Sequence, residues 1–118
     1  MDARTEGGLL ALLLLNVALQ LFDGLATYAG LQVGYGEGNP LIVRAMGALG
    51  PAAALTLVKL YACACLVAVW HARRTRLALP ALVVTAAVYA TCSLAPWSAA
   101  LAQAQIDQYQ IRTLLAQL

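Results

Sequence analysis

Two side chains of opposite charge each stand alone in a long apolar run. Asp23 carries the one formal charge between residues 7 and 33, and Lys59 the one between residues 51 and 70. An ionisable group in hydrocarbon is costly, so it faces a partner or a wet cavity. A carboxylate and an ammonium on neighbouring runs can neutralise each other, fix the register of two helices, or carry an ion or proton across. Asn16, Gln20, Asp23 and Thr27 are spaced four, three and four apart. At about 100° per residue they form one helical stripe roughly 60° wide. Thr56, Lys59 and Cys63 share a side of the second run, and Thr85, Tyr89, Cys92 and Ser93 share a side of a third.

Depth brings these groups level. At a rise of about 1.5 Å per residue, Asp23 lies ~15 Å in from Val33, Lys59 ~12 Å in from Pro51, and Tyr89 ~12 Å in from Trp97. Helices that alternate in direction place all three at one height. The expectation is an Asp23–Lys59 ion pair with Tyr89 as hydrogen-bond neighbour. A purely structural role has the stronger claim, because desolvation offsets most of the Coulomb attraction of a buried pair. Asn16 and Gln20 read first as glue between helices.

The elements that must position these groups follow from hydropathy. Of 118 residues, 63% are hydrophobic and 10% charged, with a net charge of +2; mean hydropathy is +0.79. Soluble domains are about 45–50% apolar and about 25% charged, so bilayer is the natural solvent. The fold class is all-α, with three transmembrane helices over residues 9–33, 51–70 and 77–97. Residues 35–40 (Tyr-Gly-Glu-Gly-Asn-Pro) form a loop. A short interfacial helix follows over residues 41–49, with Asn39 as N-cap and Pro40 in its first turn. Residues 98–118, with five Gln, one Asp and one Arg, are too polar to span. Leu101, Ala104, Ile111, Leu115 and Leu118 keep a helical period, which gives an amphipathic C-terminal helix. The division is a membrane domain, 1–97, and this helix, 98–118. Asp2 and Glu6 outweigh Arg4, and the first run continues well past a normal h-region, so it is expected to remain as a helix rather than leave as a signal peptide.

Other motifs carry less. Cys63 and Cys65 point about 200° apart on a helix and do not suit one metal ion. Cysteine as an apolar filler accounts for all three. His71 stands alone beside arginines. No catalytic set, phosphate loop, metal motif or cofactor motif is present, and the charge is too small and scattered for nucleic acid. Trp70 and Trp97 read as interfacial anchors. Ala26, Gly30 and Gly34 form a small-residue series that permits close helix contact.

In its order of elements the chain resembles the DUF5658 family. The residues concerned are Asn16 to Thr27 (Asn-Val-Ala-Leu-Gln-Leu-Phe-Asp-Gly-Leu-Ala-Thr), then Glu37-Gly38-Asn39-Pro40-Leu41, Gly50-Pro51 and Lys59. The resemblance implies a small prokaryotic multi-span membrane protein. Its Asp-x-x-x-Thr, Glu-x-Asn-Pro and Lys elements fall on Asp23, Thr27, Glu37, Asn39, Pro40 and Lys59. It supplies no activity, and the polar C-terminal helix looks like an addition to it.

Three functional expectations follow. The first is a non-enzymatic accessory, scaffolding or assembly component, in contact with lipid and with a homo-oligomer or larger complex through its small-residue faces and C-terminal helix. The second is an oligomeric transporter or proton-handling protein using Asp23, Lys59 and Tyr89. The third, the weakest, is a lipid enzyme built on Glu37, Asn39 and Arg44. The arginines at 73, 74 and 76 place loop 71–76 and the N-terminus in the cytoplasm, with loop 35–50 and the C-terminus outside; the family resemblance implies that the membrane is a prokaryotic inner membrane.

Overall fold

Asp2 starts the first helix. In the computed structural model, which describes residues 2–118, its side chain accepts a hydrogen bond from Thr5 N at 2.7 Å. That backbone bond, with the help of the Thr5 side chain, holds the Asp2 carboxyl below the usual carboxylate range. Helix α1 runs Ala3–Gln32. It ends where Gly34 turns left-handed at φ +99° and Tyr35 N bonds back to Gly30 O at 2.9 Å. Glycine takes that conformation without strain.

Helix α2, Pro40–Leu49, is capped by Asn39 and stopped by Gly50 at φ +87°. Helix α3, Pro51–His71, follows at once. A short turn over residues 72–77 leads into α4, Ala78–Tyr89, then a π-helical turn, Ala90–Leu94, then α5, Ala95–Ala116. Pro96 explains the π turn. It has no N–H to give Cys92 O, and its ring would clash with that carbonyl in a regular α-helix. One extra residue in the turn relieves both.

The third span and the C-terminal helix are continuous. The backbone stays helical through Ala90 and Ala95, so Ala78–Ala116 is one rod of 39 residues. The reason is local: Gln, Ala and Leu are good helix formers, and polarity alone does not end a helix. Proline, which could end it, was absorbed by the π turn.

Helix α1 is central, with α3 and α4 packed on it and touching each other less; α2 lies on α3. The molecule measures 67 × 34 × 16 Å. Because α3 and α4 also touch each other, the long helices form a bundle rather than a flat row. An apolar cluster of Leu9, Leu66 and Leu82, backed by Leu12, Val69 and Trp70, closes the end nearest the N-terminus.

Beside its buried leucines and alanines the chain buries polar side chains and exposes large apolar ones. Asn16 is 1% and Gln20 2% exposed, while Leu25 is 72% and Leu60 61% exposed. Polar groups face inward because hydrocarbon offers them no hydrogen bonds. Three helices are long and apolar enough to cross a membrane. The chain is a multi-pass membrane protein.

Candidate intramembrane polar centre

The stripe on α1 meets its partners from both sides. Lys59, from α3, donates to Asp23 Oδ2 at 2.5 Å and to Gln20 Oε1 at 3.1 Å. Its Nζ also lies 5.4 Å from the centre of the Tyr89 ring, within reach of a cation–π attraction. Ser93, in the π turn, donates its hydroxyl to Asp23 Oδ1. Both carboxylate oxygens are thereby used, and the ammonium is held by a carboxylate, an amide oxygen and a ring face. Side-chain exposures of 14% for Lys59 and 20% for Asp23 put the pair inside the bundle.

The expected Asp23–Lys59 pair is thus formed, and Gln20 joins it. Tyr89 takes part through its ring rather than the hydrogen bond expected of it. Ser93 is the residue that sequence reasoning did not select. Its signal was its place one turn beyond Tyr89 on the polar side of the third run. Thr85 and Thr56 shared such sides too, but their hydroxyls bond to their own helices, at Ala81 O and Ala52 O.

Asn16 lies two turns toward the other end, outside the charge network. Its Nδ2 donates to Leu12 O at 2.8 Å and across to Leu82 O at 3.0 Å, tying α1 to α4. Its Oδ1 is buried without a hydrogen-bond partner. Thr27 is buried one turn past Asp23.

The loop motif at residues 37–40 reaches the same place. Glu37 Oε1 accepts from Asn39 N at 3.0 Å, and Asn39 Oδ1 accepts from Leu41 N at 3.0 Å. With Pro40 at the first helical position, these bonds start α2. A cleft of about 410 Å³ is lined by Asp23, Thr27, Glu37, Asn39, Lys59 and Tyr89, with Gly36, Gly38 and Trp97 also on its wall. The intramembrane centre and the loop motif therefore share one cavity. Arg44 is exposed and does not line it. On the Lys59 side an apolar groove of about 320 Å³ between α1 and α3 runs past Leu21, Gly24 and Cys63.

Of the small-residue series, Ala26 is buried and Gly30 packs inside the chain, whereas Gly34 is the left-handed turn residue with open space around it. Trp97 lies on Gly30 so closely that a Cβ there would collide with its ring. Tyr35 meets the Trp97 ring edge-on at 5.9 Å and donates to Ala100 O at 3.3 Å. At the opposite end Arg73 pairs with Glu6 at 2.9 Å and stacks 4.6 Å over the Trp70 ring. No group of three or more His, Cys, Asp or Glu converges to hold a metal ion among the described residues.

The profile of a family described as a domain of unknown function, DUF5658, matches residues 10–96. The chain belongs to the DUF5658 family. The DUF5658 match takes in Asn16, Gln20, Asp23, Thr27, Lys59, Tyr89 and Ser93, with the loop motif. It stops beside Pro96, where α5 has only begun. No curated protein and no solved structure matches the chain.

Proposed function

We propose that this DUF5658 protein is an accessory or assembly component of a prokaryotic inner-membrane complex, not an enzyme. The observation that carries this reading is the saturation of the polar centre: Asp23, Lys59, Gln20 and Ser93 satisfy one another. Such a network locks helices together and leaves no charge idle for chemistry. What the chain offers outward is broad apolar faces, the exposed helix α2, and a rod-like α5 with no buried residue. The arginine-rich turn at residues 73–76 favours an orientation with that turn and the N-terminus in the cytoplasm, and with α2 and α5 outside.

Affinity purification from native membranes tests the proposal. The chain should bring down a defined set of other membrane proteins. Recovery of the lone chain or its homo-oligomer alone contradicts it.

A second reading has one observation in its favour. The cleft of about 410 Å³ exposes the charge pair to whatever enters beside Glu37 and Asn39, as an oligomeric transporter or proton-handling protein would need. Under that reading, joint replacement Asp23→Asn and Lys59→Met leaves a folded protein that has lost its flux in vesicles. Under the assembly reading it leaves co-purification intact.

A further inference from the structure

Helix α5 outruns both the bundle and the bilayer. The rod Ala78–Ala116 has 39 residues, roughly 58 Å at about 1.5 Å per residue, whereas hydrocarbon is about 30 Å thick. Every residue from 105 to 118 is exposed. The rod passes the π turn without folding back, so its end stands off the membrane rather than lying on it. It also lacks the basic face that holds a helix on anionic lipid, since Asp107 and Arg112 are its two charges.

Its pattern fits a coiled coil. Leu101, Ala104, Gln108, Ile111 and Leu115 alternate three and four apart, the spacing of heptad positions a and d. Numbered this way, Asp107 is a g position and Arg112 the following e position. In a parallel pair of helices, g of one chain meets the next e of the other. Within a single helix residues five apart do not face each other. Asp107 is held by Gln103 Nε2 at 3.0 Å, and no carboxylate pairs with Arg112 among the described residues.

We propose that α5 joins a second copy of this chain in a parallel two-stranded coiled coil, with Asp107 of each copy paired to Arg112 of the other. The inference deepens the assembly reading by naming what covers α5. Gln108, polar at a core position, sets the register at some cost in strength. The seam is short, but both copies are held upright in one membrane, which raises their effective concentration.

The test uses full-length chains labelled at the C-terminus for energy transfer in dilute phosphatidylcholine vesicles. Asp107→Arg or Arg112→Asp alone places like charges opposite each other and should weaken self-association about fivefold, the scale of two exposed pairs lost. Mixing the two single variants should restore it, because each supplies the charge the other needs. Thermal unfolding of the bundle should not change, as residues 105–118 bury nothing in it. Wild-type chains that stay monomeric, single variants that associate like wild type, or a mixture no better than its parts would each overturn the proposal. None of those results touches co-purification with other proteins, the readout of the assembly reading.

Discussion

The aliphatic stem of Lys59 lies in the notch that Gly24 leaves in α1. A Cβ at position 24 would stand 3.1 Å from Lys59 Cγ. A flexible stem can give way by a few tenths of an ångström, and alanine favours a helix by about 1 kcal/mol over glycine. Gly24→Ala should therefore leave thermal stability in detergent unchanged or slightly raised. Gly24→Leu should push the stem aside and cost about 1–3 kcal/mol, the range for overpacking.

Ser93 bridges the third span to the pair. Ser93→Ala removes one hydrogen bond to a charged oxygen and should destabilise the protein by about 1.5–3 kcal/mol. Pro96→Ala tests how Ser93 gets there. With the N–H restored, the π turn can relax to α-helix, which turns Ser93 off Asp23. Ser93→Ala should then cost less in the Pro96→Ala background than in wild type, as read in a double-mutant cycle of unfolding free energies.

Gly30→Ala puts a methyl where the Trp97 ring rests. The ring must leave, at about 1–3 kcal/mol, and it takes one wall of the cleft with it. In a Trp70→Phe background, the remaining tryptophan fluorescence should shift to the red and become more accessible to a soluble quencher.

Asn39→Ala removes the cap of α2 and the loop's hold on it. The expected loss is about 1 kcal/mol. It should show as faster amide exchange at Leu41 and its neighbours, with α1 and α3 unaffected.

Much of this was legible in residue type and spacing. Asp23 and Lys59 were the lone charges of their runs, and hydrocarbon permits few places for a lone charge. Asn39-Pro40 announced a helix start through chemistry confined to a few residues. The partnership of Ser93 was not legible, because sharing a side with Tyr89 did not set it apart from Thr85, whose hydroxyl bonds to its own helix. The continuity of α4 and α5 was not specified by residue type, because polarity changes at residue 98 while helix propensity does not. The shared cavity needed the loop to fold over the bundle, a long-range arrangement that no local pattern specifies. Gly30 looked like a surface for another helix and turned out to seat Trp97, a residue 67 positions along the chain.

The central claim is that Asp23 and Lys59 act as one closed internal link. The most direct measurement is the unfolding free energy, in one detergent, of wild type, Asp23→Asn, Lys59→Met and the double variant. Each single change strands a partner and should cost about 3 kcal/mol or more, whereas the double variant should be more stable than either. Costs that simply add, or a double variant worse than both singles, would contradict the account.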